Sequence, residues 1–368
     1  MITKREQQVL DLIRATPLIS QHAIADHLGI SRSAVAGHIM NLTAKGIIRG
    51  RGYVISDTPF VAIVGGANMD IHGTPDARLR KHDSNPGTVH TSPGGVARNI
   101  AENLARLGAD CRLIAPVGND HHGQLLMKQG DAAGIDMSNM LQFDSASTST
   151  YLSVLDDCGD MFVGISDMSI LDRLNAEQLR VHKKMLQQAS LVIADTNLTD
   201  DALGYLTRTC AEQTLFVDTV STTKALRIKP YLDAVHTLKP SLIEAEELSG
   251  IKAPTDKELP KIAAWFHDQG VQRLFITLGA GGVFYSTDAE QGIEKSDHTV
   301  EHKVNAGGAG DAFVAGLAHA WLNQWPLLQS VRFAMAAATL ALADAATINP
   351  NMSTAAVQKI YEQSHAKA

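Results

Sequence analysis

Residues 305–316 read NAGGAGDAFVAG, with three glycines in four positions ahead of an apolar, Ala-rich stretch that carries an acid, Asp311, in what reads as its first turn. Glycine lets a backbone approach a ligand closely. The N–H groups of Gly308, Ala309 and Gly310 at a helix N-terminus would converge on one point, an arrangement suited to a phosphoryl group in transfer. A carboxylate next in line can take a proton from an attacking hydroxyl. The same residues also fit a plainer account, a tight strand-to-helix turn in which Asp311 only caps the helix.

Three further clusters have the composition of a ligand site. In SPGGVARNIAENLARLG (92–108), Gly94 and Gly95 precede a helical pattern whose first turn presents Asn99, which suits a polyhydroxyl ligand. In VGGANMD (64–70), Asn68 and Asp70 lie just past an apolar run, where open α/β sheets bind ligands. A carboxylate there can accept hydrogen bonds from two vicinal hydroxyls, although an Asx turn explains the pair equally simply. In ITLGAGGVFY (276–285) a glycine turn joins two apolar runs, a hairpin that can lie along a nucleotide or be an ordinary connection.

Positioning these residues requires a sheet. Apolar runs at 61–66, 111–118, 191–195, 214–218, 234–238 and 273–279 alternate with helical patterns around 96–107, 176–189, 201–212, 242–249 and 257–268. Buried strands separated by helices predict a mostly parallel sheet with helices on both faces. Runs at 151–156 and 161–165 around Asp156–Asp160 predict a hairpin lid, and 311 to about 346 predicts one long helix ended by Asn349-Pro350.

Taken in order, the four clusters resemble the ribokinase family (PfkB-type carbohydrate and nucleoside kinases) over about residues 60–365. The resemblance implies an α/β, ribokinase-like sandwich with a small β lid, and phosphorylation of a primary alcohol from MgATP. It implies Asp311 as catalytic base, Gly308, Ala309 and Gly310 as anion hole, and Asn68, Asp70, Gly94, Gly95 and Asn99 as acceptor ligands. It places Ser221, Lys239, Thr277, Gly279, Gly282 and Gly308 at the nucleotide and Glu244 at the metal. Two positions depart from the family pattern: Ser241 stands where an Asn is usual, and Asn305 where many members have an Asp that helps bind a monovalent cation, which puts that cation in doubt. No GxxxxGK[ST] occurs, so a P-loop kinase is excluded and Lys224 or Arg98 become candidate phosphate helpers. The texture of GGANMDIHG, ADTNL and DTVSTTKA is most similar to the pseudouridine-kinase branch, with inosine-type nucleosides close behind and free ribose or a fructose-like sugar as the alternative; a metabolite-sensing regulator built on the fold is a third reading.

The N-terminal 57 residues have a different texture. Helical spacing at 4–15, a second helical stretch after Ser20 ending at Gly29, and a third from about Arg32 to Lys45 capped by Ser31 resemble a winged helix-turn-helix. The basic run Arg49-Gly50-Arg51-Gly52 would form its wing. In that geometry Arg32, Ser33 and His38 face base edges, and Arg49 and Arg51 contact phosphate. Residues 1–58 hold seven Lys+Arg against four acids, whereas the whole chain has a net charge of −7. That asymmetry predicts two modules, 1–57 and 58–368, with different partners. The basic excess is thin for DNA, so packing or dimerisation is the competing role. Three scattered cysteines and the lack of a long apolar run predict reduced thiols, a cytoplasmic protein and no membrane contact; a homodimer is expected from the lid hairpin and the paired use of winged-helix modules.

Overall fold

Apolar β-branched runs set the architecture of the larger part of the chain. The computed structural model describes residues 2–49, 59–158, 160–295, 308–344 and 346–365. The chain divides into two units, Met1–Pro59 and Phe60–Ala368.

The first unit contains α1 (Lys4–Ala15), α2 (Gln21–Leu28) and α3 (Arg32–Ala44). Ser20 and Ser31 cap α2 and α3 by accepting the N–H of Ala23 and Ala34, and Gly29 closes α2 in the left-handed conformation. Val9, Leu10, Ile13, Ile24, Val35 and Leu42 make its small core. The Lys45 ammonium donates to the Glu6 carboxylate at 2.8 Å, which with the Thr3 backbone holds that carboxyl down at about 2. Arg32 and Ser33 are exposed at the start of α3 and His38 is half-buried; Arg49 is exposed beyond it. Arg51 and the remainder of the expected wing lie outside the described residues.

The second unit runs β1 (Phe60–Val64), β2 (Asn68–Pro75), β3 (Gly87–Gly94), α4 (Val96–Arg106), β4 (Asp110–Ile114), β5 (Pro116–Gly118), α5 (His121–Ala132), β6 (Ile135–Asp136), β7 (Leu141–Phe143), β8 (Thr150–Leu155) and β9 (Met161–Asp167). It continues through α6 (Ala176–Arg180), α7 (Lys183–Gln188), β10 (Leu191–Asp195), α8 (Asp200–Thr209), β11 (Leu215–Asp218), α9 (Thr222–Ala225), β12 (Thr237–Lys239), α10 (Leu242–Ser249) and α11 (Leu259–Asp268). The last elements are β13 (Arg273–Thr277), β14 (Val283–Ser286), β15 (Gln291–Glu294), α12 (Ala309–Leu322), α13 (Leu327–Leu342) and α14 (Thr354–His365).

Among the described residues, nine strands form one sheet in the order β15-β14-β13-β12-β11-β10-β1-β4-β6, parallel except at β14 and β15. Every residue of β1 is buried, because alternate side chains enter two cores: Val61 and Ile63 pack on the α4, α12 and α13 side, and Phe60, Ala62 and Val64 on the other. The parallel sandwich expected from the sequence is present.

Two expectations need correction. The lid is not a lone hairpin: β2 and β3 join β8 and β9 in a four-stranded sheet, order β3-β2-β8-β9. The stretch from 311 to 346 is two helices rather than one. Pro326 cannot continue α12, because it lacks the N–H and its ring meets the carbonyl of the preceding turn. The chain instead turns through Gln324 at φ +57° and restarts as α13.

Candidate active site

α12 begins at Gly308, which adopts φ +81° and packs so closely on the Thr347 carbonyl that a Cβ would collide with it. The first helical bond runs from the N–H of Ala312 to the carbonyl of Gly308, at 2.9 Å. The N–H groups of Ala309, Gly310 and Asp311 therefore have no partner within the helix, and the positive end of its dipole lies with them. Asp311 is 8% exposed. Its Oδ2 accepts from the Asn99 side-chain amide at 2.9 Å, so α4 and α12 meet through these two residues. Burial and the nearby Asp218 carboxylate push the Asp311 carboxyl up to about 7, against the opposing pull of Asn99 and Lys239. A carboxyl with that value can accept a proton near neutral pH and release it again.

The ends of three adjacent strands supply the remaining charge. Lys239, last in β12, pairs with Asp218, last in β11, at 2.6 Å. Burial disfavours the ammonium, but the Asp218 carboxylate outweighs it and raises the Lys239 value. The same ammonium lies 3.2 Å from where a Cβ of Gly310 would be, which leaves room there only for glycine or a shifted lysine. Asp195, last in β10, is fully buried and accepts the N–H groups of Gly66, Ala97 and Asn197, each at 2.9 Å. It ties the end of β1 to the start of α4, and burial raises its carboxyl above the ordinary range.

Beside these groups lies a cavity of about 190 Å³, lined among others by Asn68, Asp70, Asn99, Tyr151, Val220 and Lys224. The Asn68 amide donates to Asp70 at 2.6 Å. Burial raises the Asp70 carboxyl, although this bond and the charges of His72 and Arg98 oppose it. Gly94 is required by Asp70, whose carboxylate occupies the space a Cβ would need, and Gly95 at φ +98° approaches the backbone of Gly66 and Ala67. The Lys224 ammonium donates to the Asn197 side chain at 2.6 Å.

The chain matches the pfkB family carbohydrate kinase model over residues 58–355 and a winged helix-turn-helix DNA-binding model over residues 2–49. It belongs to the pfkB family of carbohydrate kinases. It is 40% identical over 354 residues to the uncharacterized sugar kinase YeiI of Escherichia coli (strain K12), covering 96% of this chain and 97% of that one. It is 41% identical over 304 residues to the pseudouridine kinase of the same strain, covering 82% and 96%. Among solved structures, the ribokinase of Arabidopsis thaliana complexed with ribose and ATP superimposes with a TM-score of 0.76 at 21% identity, over 83% of this chain and 99% of that one. The protein is a phosphotransferase acting on a hydroxyl acceptor, a nucleoside or sugar kinase.

In this kinase the residues singled out from the sequence fall into three groups. Asn68, Asp70, Gly95 and Asn99 line the cavity, and Gly94 backs Asp70. Gly308, Ala309, Gly310 and Asp311 form the first turn of α12, with Asn99 and Lys239 against it. Thr277 ends β13, and Gly279 and Gly282 lie on the connection from it to β14. Ser221 precedes α9.

Glu244 stands in the first turn of α10, where its Oε2 accepts from the Ser241 N–H at 2.8 Å and from the Thr219 hydroxyl at 2.6 Å. The Ser241 hydroxyl caps the same helix by accepting the Glu244 N–H. Arg98 does not face the cavity as a phosphate helper. It is buried, paired with Glu102, and donates to the Asn99 Oδ1 at 3.3 Å. This bond fixes the amide so that its nitrogen points at Asp311. Asn305 lies outside the described residues. Sequence reasoning took Asp195 and Asp218 only as part of the resemblance to the pseudouridine-kinase branch and gave them no role in the site, although both end apolar runs followed by short polar turns, and it gave no role to Tyr151, Leu171 or Val220.

Proposed function

We propose that the protein transfers the γ-phosphoryl group of ATP to the primary 5′-hydroxyl of a ribonucleoside, pseudouridine or one similar to it such as inosine. The observation that carries this reading is the buried Asp311 at the start of α12, bonded to Asn99 at the edge of a polar-floored cavity. The 41% identity to a pseudouridine kinase supports the nucleoside class.

In this reading Asp70 and Asn68 hold the ribose hydroxyls and orient the 5′-hydroxyl toward Asp311, which takes its proton as the new O–P bond forms. The N–H groups of Gly308, Ala309 and Gly310 stabilise the charge on the transferring group, and the nearby Lys239 adds a fixed cation. Ser221, Thr277, Gly279 and Gly282 flank the nucleotide. Glu244, whose Oε2 accepts from Ser241 and Thr219, would offer its carboxylate as a hard oxygen donor to Mg²⁺, which would supply neutralisation of phosphate charge.

A panel of pseudouridine, inosine, uridine, adenosine, D-ribose and D-fructose with MgATP, read as ADP release, tests this. The expected result is selective turnover of a nucleoside, absent in Asp311→Asn. Turnover of free ribose or fructose alone would move the acceptor to the sugar class. Ligand binding without turnover would favour the metabolite-sensing regulator.

We infer further that the module of residues 1–57 binds DNA through Arg32, Ser33 and His38 on α3, with Arg49 and Arg51 on phosphate. The exposed N-terminal turn of α3 and the match to a winged helix-turn-helix family support this. Binding whose affinity falls steeply with salt, and falls again in Arg32→Ala, is expected; no shift of genomic fragments at low salt would rule it out. A homodimer is the proposed assembly, supported by the exposed Met161, Phe162 and Ile165 on β9, and sedimentation measures it directly. Among the described residues no helix is long and apolar enough to cross a membrane.

A further inference from the structure

Beyond β11 the chain turns through Thr219, Val220 and Ser221, and Val220 adopts φ +60°. Among the described residues, three other than glycine have positive φ: His82, Val220 and Gln324. His82 and Gln324 are exposed loop residues, whereas Val220 lines the cavity. A β-branched side chain in the left-handed region is a real outlier, and it persists only where its surroundings over-determine it.

They do so here. Asp218 Oδ1 accepts the Val220 N–H at 2.8 Å. The Thr219 carbonyl accepts both the Thr196 hydroxyl and the Ser221 N–H at 2.6 Å, and the Thr219 hydroxyl donates to Glu244 at 2.6 Å. Asn or Gly would fill such a turn without strain, so the valine is not explained by the backbone. What it adds is an isopropyl group in a cavity whose polar lining includes Asn68 and Asp70, which suit hydroxyls. Tyr151 and Leu171 are further apolar lining there.

We propose that Val220 is an acceptor-specificity residue: its side chain, held in the cavity by the strained turn, packs on the planar base of a nucleoside, a part that a free sugar lacks. This rests on the nucleoside reading above. It predicts selectivity carried by apolar contact, which is weakened by trimming the side chain and cannot be restored by relaxing the backbone.

Val220→Ala trims the side chain and keeps the strain, whereas Val220→Gly removes both. The measured quantity is the ratio of kcat/KM for pseudouridine to kcat/KM for D-ribose, alongside Tm. Both variants are expected to lower the ratio about tenfold, through KM for the nucleoside, while Val220→Gly melts above Val220→Ala. A ratio unchanged in both variants overturns the proposal, even if Tm behaves as expected, because the valine would then be a feature of the turn alone. If the wild type turns over ribose but no nucleoside, the nucleoside reading itself has failed. Val220 is then judged by competition: pseudouridine inhibiting ribose turnover in wild type but about tenfold more weakly in Val220→Gly sustains it, and equal inhibition, or none in either, overturns it.

Discussion

The central sheet treats its two edges differently. At the C-terminal edge, β10, β11 and β12 end in Asp195, Asp218 and Lys239, all buried, with Asp311 against them. At the N-terminal edge, His236 and Arg273 stand at the starts of β12 and β13. The His236 ring stacks on Phe216 at 5.9 Å, Trp321 lies 4.5 Å from His236, and Arg273 covers Trp321 at 4.6 Å. α12 serves both edges, with Asp311 in its first turn and Trp321 in its last. Both edges withdraw ionisable groups from water, wholly at the C-terminal edge and by half at His236 and Arg273, but by opposite means. The N-terminal edge keeps His236 neutral, its value driven down to about 4 by burial and then by Arg273, and gives its cation an aromatic face. The C-terminal edge keeps charges and pairs them. Paired buried charge is commonly no more stabilising than well-packed apolar residues, so its concentration at one edge is better explained by chemistry than by stability.

Asp311→Asn separates those two explanations most sharply. As a base, Asp311 should contribute on the order of a thousandfold to kcat. Its carboxyl is raised to about 7 in the fold, first by burial and then by Asp218. The folded protein therefore holds this proton more tightly than the unfolded chain. The stability tied to it is present below the ordinary carboxylate value and is lost as pH rises through about 7. The variant should thus be inactive and yet more stable than wild type at pH 8, by up to about 4 kcal/mol, with little difference near pH 4. Paired thermal melts at the two pH values read this. A variant less stable at both would make Asp311 a structural cap.

Lys239→Met should have the next largest effect. It leaves Asp218 buried with its cation gone, at a cost of about 3–5 kcal/mol in denaturant unfolding. The double variant Lys239→Met, Asp218→Asn should recover most of that loss without recovering activity, since the buried charge is then gone while Oδ1 still accepts the Val220 N–H. If the double variant is as unstable as the single one, the pair is structural and the contrast between the edges fails.

The sequence foretold one edge better than the other, and the reason is the range of the information. β1 and β10 were legible because all five residues of each are buried and most are apolar, and α2 and α3 because Ser20 and Ser31 stand at their starts. Asp311 and Asn99 were legible because close packing demands glycine just before each, and glycine patterns survive in a string. Asp218 and Lys239 were not read as a pair, because they meet only through parallel pairing of β11 and β12. β2 and β3 were missed for a related reason. Their residues are mostly polar and interrupted by Gly and Pro, β3 is largely exposed, and they are held as strands by pairing Asn68 with Gly94 and Met69 with Thr150. The break at Pro326 was legible, and the Ala-rich composition around it obscured it. Nothing local marks Val220 as left-handed.

Arg273→Met gives the smallest expected effect and tests the other edge. Removing a cation from the face of Trp321 should cost about 0.5–1 kcal/mol. It should also move His236. That imidazole is depressed below its unfolded value, so the unfolded chain takes up its proton first and stability is lost as pH falls from about 6.5 toward 4. Burial remains in the variant while the repulsion from Arg273 is gone. The His236 value, followed by NMR, should therefore rise part of the way back, and the acid-side loss of stability should still begin near 6.5 but end at a higher pH and be smaller in total. KM for the acceptor should stay unchanged, because no residue of this edge lines the cavity. A change in KM comparable to that from a cavity residue would mean that α12 transmits the state of Trp321 to Asp311, and the two edges would have to be treated as one device.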